Sequence, residues 1–305
     1  MNSTIAGRLL VLALVTLVVA PARASGQEGF RTRCGAGVHA GEESGFTPLP
    51  QGTLFCPFVA DPKFEHSFVS YLRGDFATIA DSASAPDTNI GAVGLGDSFG
   101  LFRISGNNPG NGLQLDLMGA IFAQFNLDRP SFDLINADYL VGLPVTFRTG
   151  GFTTRLRLYH QSSHLGDEFI LSRQPQRINF SFESIELVLS QEVGPVRVYA
   201  GGEHFFRSRP IELVARLAHG GIELRPGSFG AGRLVAAVDV KAVDLDGWDW
   251  STSVRAGVEI ARVPSPGHPP RVLSLLGEFY DGASQYGQFY RDNIRFYGLG
   301  IHFSL

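Results

Sequence analysis

From about residue 66 to the C-terminus, apolar and polar residues alternate in runs of roughly 9–16 residues, each broken at Gly, Pro, Asn or Asp. A period of two marks a strand whose two faces meet different surroundings. Leu113, Leu115, Leu117, Ile121, Ala123 and Phe125 share one face, with Gln114, Asp116, Gln124 and Asn126 on the other. Ile135, Ala137, Tyr139, Val141, Leu143, Val145 and Phe147 form a second apolar row against Asn136 and Asp138. Leu234, Ala236, Val238 and Val240 oppose Asp239 and Lys241, and Val254, Ala256, Val258 and Ile260 oppose Arg255 and Glu259. Twelve strands are predicted, near 66–75, 89–104, 112–126, 131–148, 151–163, 176–190, 195–207, 210–225, 231–244, 248–262, 270–282 and 291–305.

A soluble sandwich also alternates, with its apolar face turned inward. Three features select an antiparallel transmembrane β-barrel instead. The runs exceed the usual soluble strand of about 5–6 residues. Their polar faces carry Asp, Glu, Arg and Gln in mid-strand, as a wet or hydrogen-bonded lumen requires. The third feature is an export signal. Arg8 precedes the apolar run Leu9–Ala20, and Ala22-Arg23-Ala24 gives the small-residue spacing of a cleavage site. Cleavage is expected after Ala24, leaving residues 25–64 as a periplasmic segment and 65–305 as the barrel. No later apolar run is long enough for a spanning helix, so a closed barrel is the remaining way to cross.

The connections set the orientation. Arg148-Thr149-Gly150-Gly151 and Glu192-Val193-Gly194 are tight, whereas 76–88, 164–175 and 283–290 are long. Short periplasmic turns and long external loops follow if the first strand runs outward, with both termini inside and an even strand number. The last strand alternates through Tyr297, Leu299, Ile301, Phe303 and Leu305, as the final strand of a bacterial outer-membrane barrel does. Trp248 and Trp250 fall beside an external turn, where an aromatic girdle belongs.

Composition adds two limits. Of the 305 residues, 44% are apolar and 18% charged, which excludes a disordered chain, and a net charge of −4 gives no footprint for nucleic acid. Lys63 and Lys241 are the only lysines, so the basic residues are nearly all arginine. The two cysteines, Cys34 and Cys56, are expected to form a disulfide in an exported chain.

The segment RLRLYHQSSHLGDE, residues 155–168, carries the candidate chemistry. Leu156 and Leu158 face lipid; Arg155 and Arg157 face the lumen, since the reverse would put two guanidinium groups in hydrocarbon. The same alternation carries His160 and Ser162 onto the lipid-facing side near the outer rim, a base beside a nucleophile. On the next strand the apolar row Ile185, Leu187 and Leu189 extends through Glu183 and Ser181 to Asn179, nearly opposite His160 if the hairpin is centred on its loop. Ile178, Phe180 and Phe182 form a competing apolar row, so the partner of His160 stays open among Asn179, Ser181 and Glu183. A metal held by His160, His164 and Asp167 would split its ligands between a strand face and a loop, a poor donor set.

The HQS motif on an outward strand, an Asn on the next and twelve strands resemble outer-membrane phospholipase A. That resemblance implies a lipid acyl hydrolase, with His160 as base, Ser162 as nucleophile and Asn179 as orienting amide. It also implies calcium, for which Asp167, Glu168 and nearby loop carbonyls would be the oxygen donors. It implies membrane lipids as substrate, a homodimer, and a bacterial outer-membrane location reached through the barrel-assembly machinery. The asparagine of that family follows its histidine more closely and sits beside a tryptophan; here the loop is longer and Ile178 takes that place. Lipid A deacylases are similar in their HxS motif but use a Glu, which corresponds to Glu183. FDLINADY (132–139) and LRLYHQSSHLGDE (156–168) also resemble an uncharacterised family of bacterial outer-membrane proteins. The rival expectations are a small-solute pore, lined by Arg155, Arg157, Asp116, Asp138 and Gln124, and a structural barrel whose loops hold a partner.

Overall fold

A computed structural model describes residues 44–76, 79, 87–107, 110–175, 178–210, 216–229, 232–244, 247–261 and 271–303. The expected signal peptide and Cys34 lie outside the described residues. The alternating runs form twelve antiparallel staves. They are β1 (Ser67–Asp75), β2 (Thr88–Ser105), β3 (Gly112–Asn126), β4 (Leu134–Thr149), β5 (Phe152–Leu165) and β6 (Phe180–Val193). Then follow β7 (Val196–Arg209), β8 (Arg216–Leu224), β9 (Gly232–Asp244), β10 (Trp248–Ala261), β11 (Val272–Ala283) and β12 (Asn293–Phe303). Each stave pairs with its neighbour in sequence, and β12 returns to β1, with Ile301 opposite Val69. Closure leaves no unpaired edge, which backbone in lipid requires. Two short strands, Gly45–Pro48 and Ser228–Phe229, add to the ends of β2 and β9.

The tight turns after β4 and β6 place Gly150 and Gly194 at φ 58° and 57°, a conformation that glycine adopts without strain. They share the inner rim with both ends of the barrel, and the long connections share the outer rim. A helix, α1 (Asp167–Arg173), lies in the β5–β6 connection and turns Phe169 into the lumen.

Two expectations are corrected here. Ile135, assigned to the apolar outer row, is fully buried in the lumenal cluster; the ladder slips one residue between Gln124 and Phe125 and turns it inward. The segment expected to lie in the periplasm enters the barrel: residues 50–66 plug the lumen from the inner side. Phe55, Phe58 and Phe64 pack with Val188 and Tyr199 of the wall. Glu65 binds Arg155 and, at 3.3 Å, Arg157. Asp61 meets Lys241 at 2.6 Å, and Lys63 meets Asp138 at 2.5 Å. Burial works to raise the Asp61 carboxyl; the charges of Lys241 and His219 outweigh it and hold the group below the usual carboxylate range. Cys56 is disulfide-bonded, and Cys34 is the only other cysteine in the chain.

The plug also explains the arginine bias. An irregular segment inside a barrel carries carbonyls that no ladder satisfies. Wall arginines bind them: Arg103 at Gln51 O and Gly52 O, Arg148 at Leu54 O, Arg197 at Pro57 O and Arg255 at Val59 O, over 3.0 to 3.3 Å. A guanidinium has five donors, enough to hold a wall carboxylate and a plug carbonyl together, as Arg148 does with Glu192 and Leu54. Towards the outer rim the lumen turns apolar, filled by a cluster that includes Phe76, Phe122, Phe182, Tyr280, Tyr286 and Phe296.

Two outcomes follow. Planar-bilayer recordings of the refolded chain are expected to show no steady open-pore current, because plug and aromatic cluster fill the lumen; a stable ohmic conductance would mean that they leave it. On the outside, Leu156 and Leu158 are exposed on the lipid face of β5. Leu156→Arg is expected to cost about 2–4 kcal/mol near the midplane, read from equilibrium refolding titrations.

Candidate active site

Strand β5 delivers His160 and Ser162 to the outer surface by unbroken alternation, with Arg157, Tyr159, Gln161 and Ser163 turned into the lumen. The two stand roughly 7 Å apart along the strand. They mark a boundary. Inward of them the surface is apolar, with Leu156 and Leu158 on β5 and Ile185, Leu187 and Leu189 on β6. At their level it becomes polar on β6, with Glu183 and Ser181, while Val141 and Tyr139 of β4 stay exposed on the other side.

The register names the partner. His160 lies opposite Glu183, and Ser162 opposite Ser181. His160 Nδ1 is 3.2 Å from Glu183 Oε1, with both side chains partly exposed, at 41% and 32%. Glu183 Oε2 faces Arg207 Nε on β7 at 3.8 Å. Asn179 precedes β6, beyond the last ladder pair of Ser163 with Phe180, and does not face His160. The expected opposition of His160 and Asn179 is therefore corrected: the connection runs through Asn179 and β6 begins at Phe180, four residues later than expected, which moves the residue opposite His160 from 179 to 183. Of the three candidates, Glu183 meets the imidazole. The faces of β6 alternate without interruption, and the irregularity sits across the ladder instead. Between Glu183 and Ser184 the register steps from Arg207 to Phe205, so Phe206 is extra. Phe206 and Arg207 are both exposed on the outer face as a result.

The arrangement is an imidazole with a carboxylate across from it on β6 and a hydroxyl two residues further along β5. A carboxylate on Nδ1 fixes the tautomer that leaves Nε2 free to accept a proton. Ser162 Oγ has no hydrogen-bond partner among the described residues. In an enzyme without substrate such a gap is ordinary, because catalytic hydrogen bonds often tighten only on binding. His164, next on the same face, packs its ring edge-on against Tyr139 at 5.8 Å between centroids.

Asp167 and Glu168 form the first turn of α1 and are both exposed. Calcium takes six to eight oxygens around one point. Adjacent helical residues diverge by about 100°, so these carboxylates do not converge. Among the described residues no group of three His, Cys, Asp or Glu comes together to hold a metal. Asp167 and Glu168 do not by themselves form a calcium site.

Sequence reasoning reached His160, Ser162 and Glu183 but missed Arg207 and Arg209. Their signal was the break in alternation at His204-Phe205-Phe206-Arg207-Ser208-Arg209, where two adjacent aromatics cannot share a face without a bulge.

Comparison with known structures bears out the fold. The chain is similar to outer-membrane phospholipase A from Escherichia coli, at 15% identity and TM-score 0.54, covering 81% of this chain and 93% of that one. It is similar in the same measure to a Salmonella typhi outer membrane phospholipase, a dimer with bound calcium, at 14% identity, TM-score 0.54 and the same coverage. At these identities the likeness concerns the barrel alone. No curated protein sequence matches the chain. A family model matches residues 20–305, nearly the whole sequence, and the chain belongs to that family, described as a protein of unknown function, DUF1207.

Proposed function

We propose that the protein is an outer-membrane lipid acyl hydrolase, with Ser162 as nucleophile, His160 as base and Glu183 as the orienting carboxylate. The observation that carries this reading is the His160–Glu183 pair, held beside Ser162 on the face that meets acyl chains. Barrel stability does not require an ion pair there. His160 Nε2 takes the Ser162 proton as Oγ attacks an ester carbonyl. The C–O bond breaks, and the alcohol departs with the proton returned by His160. Water, deprotonated by the same nitrogen, then frees the fatty acid from the acyl-serine. A lipid in the outer leaflet reaches this triad without leaving the membrane. The likeness of the barrel to phospholipase A supports the reading, and the location in the bacterial outer membrane is part of it.

The refolded chain in mixed micelles is expected to release fatty acid from a diacyl phospholipid. Glu183→Gln is expected to lower kcat by about 10²-fold or more, through loss of the tautomer lock, with Asn179→Ala leaving it unchanged. No release by folded wild-type protein from any phospholipid or lipid A would overturn the reading. A rate that falls in Asn179→Ala and not in Glu183→Gln would overturn the assignment of the third residue.

A further inference from the structure

We propose that Arg207 and Arg209 form a clamp for the phosphate of a membrane lipid whose ester lies against Ser162. The proposal deepens the hydrolase reading and rests on it for its meaning as a substrate site, and it names the substrate class as a phosphate-bearing glycerolipid or saccharolipid. Two rows of side chains cross the outer surface of β5, β6 and β7: His160, Glu183 and Arg207 in one, Ser162, Ser181 and Arg209 in the other. Each arginine is two strands from the proposed catalytic pair, about 10 Å between backbones. An extended arginine covers much of that gap, leaving room for the few bonds that separate an ester carbonyl from its phosphate.

Both guanidinium groups are exposed. Arg207 is 72% exposed and, among the described residues, meets only Glu183 Oε2, at a loose 3.8 Å. Arg209 is exposed and has no partner among the described residues. Arg216, the first residue of β8, adds a third exposed guanidinium across from His204. Continued from Phe205 without the bulge, the ladder would set Phe206 opposite Glu183 and turn position 207 inward; the extra residue brings Arg207 outward and opposite Glu183. Arginine suits this task because its planar fork binds two phosphate oxygens at once. A lipid phosphate is favoured over a free one because the rows border the apolar belt of Leu156, Leu158, Ile185 and Leu187, where acyl chains end and head groups begin.

The test uses the refolded full chain in micelles, in the wild-type and Ser162→Ala backgrounds, with retained lipid measured by native mass spectrometry. The probes are dioleoyl phosphatidic acid, phosphatidylglycerol, lipid A and, without phosphate, dioleoylglycerol. Wild type is expected to retain a phosphate lipid at least about tenfold more strongly than dioleoylglycerol. Arg207→Gln with Arg209→Gln is expected to remove that preference, and Arg207→Lys with Arg209→Lys to restore part of it. The preferred phosphate probe tells glycerolipid from saccharolipid. Equal retention by wild type and the double glutamine variant would overturn the clamp, as would equal retention of dioleoylglycerol. Arginine-dependent retention without any fatty-acid release would leave the clamp standing and remove the hydrolase. Release with a KM that the double variant leaves unchanged would do the reverse.

Discussion

Ser162→Ala is expected to reduce fatty-acid release by at least about 10³-fold. The loss should fall on kcat, because the hydroxyl is the atom that bonds to the acyl carbon. It should not fall on folding. Ser162 Oγ has no hydrogen-bond partner among the described residues, and the side chain stands on the outer surface. Far-ultraviolet dichroism and the midpoint of denaturant unfolding should therefore match wild type. That combination separates a nucleophile from a rim residue that merely tolerates head groups. A variant that keeps its activity would remove Ser162 from the mechanism. A variant that loses activity and stability together would say nothing special of the hydroxyl, and Ser162→Gly, smaller still, would have to reproduce the loss in a folded barrel.

The second large effect lies inside the barrel. Glu65 stands between Arg155 and Arg157, and Arg157 also meets Glu186 at 3.0 Å. All four are buried. Glu65→Ala would leave Arg155 without its carboxylate, in a space shared with Phe55 and Phe64. Breaking a buried pair from one side costs about 3–5 kcal/mol, because the remaining charge stays desolvated. Equilibrium unfolding in micelles should show a loss of that size. Adding Arg155→Ala should recover part of it, since the double variant removes the stranded charge as well. Losses that simply add would mean that water already reaches this part of the lumen and the plug does not seal it. A single variant as stable as wild type would mean that Glu65 does not anchor the plug.

The barrel was legible because its cause is local. Each stave must show lipid one face and the lumen the other, and that demand writes a period of two directly into the residues, as in Leu156 and Leu158 against Arg155 and Arg157. His160 and Ser162 were legible for the same reason: they continue a face whose direction the leucines had already set. The plug was not legible. Phe55, Phe58 and Phe64 follow no period, because an irregular segment that meets wall on all sides has no two faces to distinguish. Its trace was indirect, in a basic content given almost wholly to arginine, whose extra donors hold the plug carbonyls.

Register was the other hidden quantity. Whether His160 faces Asn179, Ser181 or Glu183 depends on the length of the β5–β6 connection, which holds α1 and ends only at Asn179. One residue, Phe206, decides how the arginines line up with the row of Glu183. The number of strands, their order and, away from bulges such as the one that turns Ile135 inward, the face that meets lipid follow from alternation and loop length along one chain. What fills the lumen, and which side chains stand beside His160, emerged with the folded barrel. Both depend on pairing between strands, and a shift of a single residue there changes every neighbour while leaving each strand's own pattern intact.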